Sequence, residues 1–327
     1  MRVFVTGATG FVGSHLVDAL IEKEYEVYTL VRKTSNLQWL KDKKVKLVYG
    51  DLRNELSGEL REILKKSNYV YHIAGAIMGV KKEDYFRVNE GGTRRLLEQM
   101  VKAGASPERF LYLSSLAAVG PGKDMEPVTE ETPPHPVSWY GESKLAGEKV
   151  VKSFEKYFPI TIVRPPPVYG PRDYGMLDVF RMLKYGIVSD VGKDTWTNFV
   201  FVKDLVKGII LAAESEKGAG EVFHIGDREN ISTIEAFKRI ARAIGKKVIS
   251  FRIPLWVVYP AAMMSEIKMR MTGKPQIFNL QKVSELKQTN WMMSIEKAKS
   301  VLGYEPEYSI KKGGKITYEW YLREGWI

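Results

Sequence analysis

The stretch that most limits what this chain can fold into is its beginning. Met1 to Thr6 (MRVFVT) is a short run rich in β-branched and aromatic residues. Gly7-Ala8-Thr9-Gly10-Phe11-Val12-Gly13 follows at once, and from Ser14 to Lys23 apolar residues recur at helical spacing, at Leu16, Val17, Leu20 and Ile21. A strand, a tight turn and a helix start therefore adjoin without a linker. A glycine turn at the carboxyl end of a strand lets backbone N–H groups and the positive end of the helix dipole approach a pyrophosphate. Gly7 suits the tight turn, Gly10 the close approach of phosphates, and Gly13 the packing of helix on strand. The expectation is a dinucleotide site on Gly7, Gly10, Phe11, Val12 and Gly13.

Further strands follow at regular intervals. Val27 to Val31 is the second, and it ends in Arg32-Lys33-Thr34-Ser35. A unit that binds NAD usually has an acidic residue here for the ribose 2′-hydroxyl. Arg32, Lys33 and Ser35 instead suit a 2′-phosphate, so NADP is the preferred cofactor, with NAD also tolerated. A third strand, Val45 to Tyr49, runs into Asp51 and Leu52, where the Asp51 carboxylate can accept from an adenine amino group. After a charged helix near Glu59 to Lys66, Tyr69 to Ile73 leads to Ala74-Gly75, small enough for a cofactor to lie against the backbone. Ile77 and Met78 are expected to border the reacting ring. Helical patterning from Glu83 to Ala103 precedes a fifth strand, Phe110 to Ser114, and Ile160 to Val163 is a sixth. This alternation predicts an α/β fold with a parallel, doubly wound sheet and ligands at the carboxyl ends of its strands.

The fifth strand ends in Ser114-Ser115, and beyond a loop rich in proline, glycine and acidic residues Trp139-Tyr140-Gly141-Glu142-Ser143-Lys144 opens a helix. Tyr140 and Lys144 are four apart, so one turn places phenol and ammonium on the same face. An ammonium favours the phenolate of a tyrosine whose ordinary pKa is about 10, and a serine hydroxyl can orient a carbonyl toward it. Tyr140 could then protonate an alkoxide in reduction or take the alcohol proton in oxidation.

Composition removes other chemistries. The chain has no cysteine, which excludes disulfides and thiolate nucleophiles, and its four histidines show no clustering, so no metal site is expected. Met1 leads straight into a run with strand character, so no signal peptide is expected. The longest nearly uncharged apolar run, Ile253 to Met264, is too short to span a bilayer, and a cytoplasmic location is expected. The net charge of +11 is uneven, with eleven basic residues against Glu266 and Glu285 between Lys238 and Lys287. A solvated basic surface, an anionic substrate or an anionic membrane would each account for it. Nucleic acid is not expected, because no binding module accompanies the charge.

TGATGFVG, HIAG, VNEGGT, SSLAAVG, Tyr140-x-x-x-Lys144 and RPPPVYGPRD, in this order, resemble the extended short-chain dehydrogenase/reductases of the NAD(P)-dependent epimerase/dehydratase superfamily. The resemblance covers about the first 175 residues, with weaker echoes in Asn198 to Ile209 and Gly220 to Asp227. It implies a Rossmann-type sheet and a catalytic set of Ser115, Tyr140 and Lys144, with Lys144 also on the nicotinamide ribose. It also places Asp51 and Leu52 beside adenine, and Pro165 to Val168 near the nicotinamide. Ile77, Met78, Leu116 and Tyr169 are the expected lining of the substrate pocket. Residues 1–172, rejoined by 199–227, would bind dinucleotide, and a smaller interleaved α/β domain, mainly 173–198 and 228–327, would bind substrate. The segments Glu83 to Ala103 and Ser138 to Tyr157 resemble those by which the family dimerises, which implies a homodimer.

Members acting on nucleotide sugars usually carry an Asn where this chain has Pro167 and an Arg where it has Thr197. The PPPVYGPRD segment looks more like the branch of 3β-hydroxysteroid dehydrogenases and dihydroflavonol reductases, whose substrates are mostly apolar rings. The Met- and Trp-rich stretch Phe251 to Phe278 suits an adaptable apolar pocket, or packing on a core. Arg252, Lys268, Arg270 and Lys274 on its flanks would also suit peripheral contact with an anionic membrane. The expected function is an NAD(P)-dependent oxidoreductase interconverting a secondary alcohol and a ketone on a small, largely apolar substrate. The alternatives are a nucleotide-sugar epimerase or dehydratase that retains NAD, and a non-catalytic cofactor-sensing protein. Some dehydratases carry a Glu beside the strand-five serine, where this chain has Leu116-Ala117.

Overall fold

Six strands in chain order, β1 (Arg2–Thr6), β2 (Glu26–Val31), β3 (Val45–Tyr49), β4 (Tyr69–His72), β5 (Arg109–Leu113) and β6 (Ile160–Arg164), pair in parallel in the order β6-β5-β4-β1-β2-β3. The strand Glu221–His224 adds in parallel beyond β6 as the seventh. The computed structural model describes residues 1–54, 57–276 and 278–327. Within each strand successive side chains leave opposite faces, and the chain supplies a core for both. Val3 and Val5, Tyr69 and Tyr71, Leu111 and Leu113 belong to one core; Phe4, Val70, Phe110 and Tyr112 belong to the other.

Five helices follow these strands: α1 (Phe11–Glu22), α2 (Gly58–Lys65), α3 (Lys82–Asn89), α4 (Gly91–Lys102) and α5 (Trp139–Ser153). The first core takes Leu16, Val17 and Leu20 of α1 together with Leu205 and Ile209 of the helix Val202–Glu214. The second takes Leu60 and Leu64 of α2, Leu96, Leu97 and Met100 of α4, and Val150 and Val151 of α5. The strand order reverses direction between β1 and β4, so the carboxyl ends of those two strands form the crevice where ligands bind in such sheets. The helix expected from Glu83 to Ala103 is two, α3 and α4, divided at Glu90. Gly91-Gly92 makes the division cheap, because glycine stabilises a helix interior poorly. It also lets α4 start against the loop after β3: a Cβ on Gly92 would lie 3.1 Å from the Leu52 Cβ.

Beyond β6 a second set of elements has its own aromatic core, with Tyr169, Phe180, Phe199, Phe201, Phe237 and Tyr321 buried together. The helices Leu177–Lys184, Thr233–Ala243 and Ile310–Arg323 surround it. Small sheets complete it. Ile187–Val191 pairs with Ile249–Ile253, and Trp196–Thr197 pairs with both Ile231–Ser232 and Asn290–Trp291. The two sets are tied at Arg172, whose backbone is left-handed (φ 70°) and whose guanidinium reaches α1. It donates to Ser14 Oγ at 3.2 Å and pairs with Asp18 at 2.8 Å.

The stretch Phe251 to Phe278 forms the long helix Leu255–Thr272, ended by Gly273 in the left-handed conformation. Val258 and Ala262 pack it on Val283 of the short helix Leu280–Leu286. Ile277, also in that stretch, lies outside the described residues.

Candidate active site

The glycine turn has the shape its spacing suggests. Gly7 is left-handed (φ 76°), and a Cβ there would lie 2.6 Å from the Ala74 nitrogen, so the end of β4 passes directly against it. A Cβ on Gly13 would lie 2.1 Å from the Gly7 carbonyl oxygen, a contact only glycine avoids. Gly10 caps α1 with extended backbone, no side chain accepts a hydrogen bond there, and the first turn carries no acidic residue. The N–H groups of Phe11, Val12 and Gly13 thus keep capacity for an incoming anion, whereas Ser138 caps α5 through its side chain. These residues fit the pyrophosphate of a dinucleotide.

At the end of β2, Arg32 and Lys33 are exposed, and the Ser35 hydroxyl accepts from the Arg32 backbone N–H at 3.1 Å. Asp51 lies close enough to Arg32 to feel its charge. Its carboxyl is held below its usual range by hydrogen bonds from Arg53, first of all, and by the Arg53 and Arg32 charges. Arg53 occupies both Asp51 oxygens, so the carboxylate expected to receive an adenine amino group already has a partner. Leu52 is buried, and its carbonyl accepts from Arg95 at 2.7 Å.

Ala74 and Gly75 sit at the end of β4 beside α5. A Cβ on Gly75 would lie 3.1 Å from Asn89 Oδ1 and 3.5 Å from Lys144 Nζ, which brings strand end, α3 and α5 to one point. His72 braces this end from within. Its ring bridges Thr6 Oγ1 at 2.7 Å and Thr93 Oγ1 at 2.9 Å, and burial pushes its pKa down to about 3.

Tyr140 and Lys144 lie one turn apart on α5, as spacing requires, but their environments differ. Lys144 is buried, donates to the Leu113 carbonyl at 2.6 Å, and has its ammonium nitrogen 4.3 Å from the Tyr112 ring centre. Burial lowers its pKa to about 7, against an opposing pull from the Glu148 charge. Burial raises the Tyr140 phenol to about 12; a hydrogen bond with Ser115 works against the rise, and the Glu285 charge adds to it. Ser115 opens the 3₁₀ turn Leu116–Ala118, where its hydroxyl accepts from Ala117 N–H at 3.2 Å. The structure therefore gathers Ser115, Tyr140 and Lys144 at the carboxyl ends of β4 and β5, with Gly75 beside them.

Further side chains outside the expected catalytic set support the site. Asn89 accepts from Ala76 N–H at 2.7 Å and donates to Ser143 Oγ at 2.9 Å, locking the loop after β4 to α5. Glu148, one turn beyond Lys144, takes a two-point hydrogen bond from Arg164 at 2.8 and 2.7 Å in the interior. The signal for it was the i, i+4, i+8 stripe of Tyr140, Lys144 and Glu148. Glu285, far away in sequence, accepts from Ser138 Oγ at 2.8 Å, while Gln281 accepts from Trp139 N–H at 3.0 Å. The helix Leu280–Leu286 thereby clamps the start of α5, and no local pattern foretells it.

Two expected pocket residues require correction. Tyr169 is 1% exposed and packed among Phe199 and Phe201 in the second aromatic core, because its strand Val168–Tyr169 pairs inward with Val200–Phe201. Leu116 is likewise buried, in the first sheet core, since the turn after Ser115 folds back toward β5 and β6. Ile77 and Met78 remain exposed on the loop after β4. Pro165 is buried, and Val168 is half-buried against the first core.

Comparison with known proteins agrees with this geometry. Residues 3–226 match the NAD dependent epimerase/dehydratase family. The chain is 30% identical to a ceramide reductase of Caulobacter vibrioides over 99% of its own length and 96% of the relative's. It is 31% identical to a decarboxylating sterol-4-alpha-carboxylate 3-dehydrogenase of Mus musculus, covering 96% of this chain and 89% of that one. A solved UDP-glucuronic acid 4-epimerase of Bacillus cereus, in complex with UDP-glucuronic acid and NAD, superposes with a TM-score of 0.78 at 25% identity, covering 99% and 100% of the two chains. The chain therefore belongs to the NAD dependent epimerase/dehydratase family, as an enzyme of the extended short-chain dehydrogenase/reductases.

Proposed function

We propose that this protein is an NADP-preferring oxidoreductase that interconverts a secondary alcohol and a ketone on a small, largely apolar molecule. Residues 1–172 with 199–227 would hold the dinucleotide, and residues 173–198 and 228–327 the substrate. When bound, the nicotinamide supplies or takes the hydride. The chain's own residues handle the proton. Ser115 orients the substrate oxygen, Tyr140 gives the proton to that oxygen in reduction or removes it in oxidation, and Lys144, its Nζ fixed on the Leu113 carbonyl, would hold the nicotinamide ribose. Arg32 and Lys33, exposed at the end of β2 with no acidic residue replacing them, support the preference for a 2′-phosphate.

The observation that carries the substrate class is the state of the two positions that hold polar anchors in sugar-nucleotide enzymes. Thr197 is buried and its hydroxyl is spent on the Asn198 carbonyl at 2.9 Å, and Pro167 has no N–H to offer. The similarity to enzymes named for ceramide and sterol substrates points the same way. Likeness to a UDP-glucuronic acid 4-epimerase supports the second reading, internal oxidation and reduction with retained NAD. Mass spectrometry of the purified protein, native and then denatured, separates them. Empty protein that binds NADPH more tightly than NADH and reduces apolar ketones supports the oxidoreductase. NAD retained in equal amount with the chain, together with turnover of UDP sugars, overturns it.

A further inference from the structure

We infer that the helix Leu255–Thr272 is an interfacial helix that docks the protein on an anionic membrane surface. The inference rests in part on the proposed apolar substrate, since docking would place the substrate side of the site at a lipid reservoir.

The helix has two apolar faces, and only one of them is covered. Val258, Ala262 and Met269 recur at helical spacing and are buried. On the other side Trp256, Val257, Met263, Met264, Ile267 and Met271 face solvent, with Trp256 76%, Met264 72% and Met271 82% exposed. At 100° per residue, Val257, Met264, Ile267 and Met271 fall within one narrow arc opposite Ala262. Met264, Ile267 and Met271 also line a shallow concavity of about 290 Å³ with Lys268 and Thr272. Isolated exposed apolar residues are ordinary on a protein surface; a stripe running along about four turns is not.

The charge around the stripe identifies what covers it. Lys268, Arg270 and Lys274 are exposed, and Arg252 stands just before the helix. Some of this charge is shared, Arg270 with Glu266 and Arg252 with Asp194, and farther along the chain Arg239 and Arg242 with Glu235 and Lys282 with Glu285; Lys268 and Lys274, beside the stripe, have no ion pair among the described residues. A second copy docking by two-fold symmetry would bring these cations against their own counterparts. An anionic bilayer would neutralise them while its acyl boundary takes the methionines and Trp256, the mode of an amphipathic helix lying in the interface plane. Among the described residues no helix is long and apolar enough to cross a membrane. The inner face packs on the helix Leu280–Leu286, which clamps the first residues of α5 through Gln281 and Glu285. The short helix Leu280–Leu286 thus links the inner face of the docking helix to the helix that carries Tyr140.

The test is flotation with phosphatidylcholine vesicles with and without phosphatidylglycerol, using the full chain, M264E/I267E, and K268E. The full chain should float with the phosphatidylglycerol vesicles only. M264E/I267E should lower the bound fraction about tenfold, as expected when two apolar anchors become charges at the interface, and K268E should weaken binding to the anionic vesicles. Circular dichroism and thermal unfolding verify that the variants fold. Failure of the full chain to float, or undiminished flotation of M264E/I267E, overturns the inference. So does sedimentation showing an oligomer of the full chain that M264E/I267E dissociates, because the face then belongs to a second copy. Flotation is measured without substrate or dinucleotide, so its outcome is independent of the turnover and cofactor assays.

Discussion

At the scale of single residues, the site rests on groups whose charge the fold has altered. Tyr140→Phe removes the phenol proposed to carry the proton and leaves the turn at Gly7 to Gly13 untouched. Turnover should fall by about 10²–10⁴, the usual yield of a positioned acid or base, with NADPH binding by fluorescence titration unchanged. Arg32→Glu should lower the ratio of kcat/KM for NADPH over NADH by at least about tenfold, through repulsion of the 2′-phosphate. Lys144 also makes a prediction about stability. Its ordinary pKa of 10.5 falls to about 7 in the fold, so between these values the unfolded chain binds a proton that the folded chain lacks. Stability should therefore rise with pH across that window, by an amount on the order of a few kcal/mol. Lys144→Met should flatten the rise, as read from urea midpoints at several pH values.

At the scale of elements, the first strand, turn and helix act as one part. Gly13→Ala would drive a methyl into the Gly7 carbonyl, and the nearest atoms are all backbone. The variant should lose dinucleotide affinity by isothermal titration and also some thermal stability, since α1 must move off β1. The start of α5 depends on a more distant element. Ser138→Ala removes both the cap on Gly141 and the link to Glu285, and should cost about 1–2 kcal/mol in denaturant unfolding, a cap plus a hydrogen bond.

For the whole molecule, dimerisation through α3, α4 and α5 is the proposal carried over from the family likeness, and sedimentation should give a mass of two chains. A monomeric mass across the working concentration range would overturn it. The two aromatic and aliphatic core systems meet along Arg172, Ser14 and Asp18, next to the glycine turn. A bound dinucleotide would therefore be felt by both, and saturating NADPH should raise Tm in a single transition.

The sheet, its alternation with helices, the glycine turn and the closeness of Tyr140 to Lys144 on one helix face were legible in the chain itself. Each rests on a local period or on residues within a turn of one another, and such rules act over a few residues. What the chain alone did not disclose depends on contacts across long separations. Tyr169 follows a motif that suggested a pocket, yet pairing with Val200–Phe201 turned it into the core. Glu285 meets Ser138 only because the C-terminal helices fold back over α5. The pKa of Lys144 falls because sheet and helices together exclude water from it, and exclusion of water belongs to a packed volume rather than to a stretch of sequence. The exposed stripe on Leu255–Thr272 follows the same logic: its residues were readable as apolar, but only the assembled fold decided which of them it would leave uncovered.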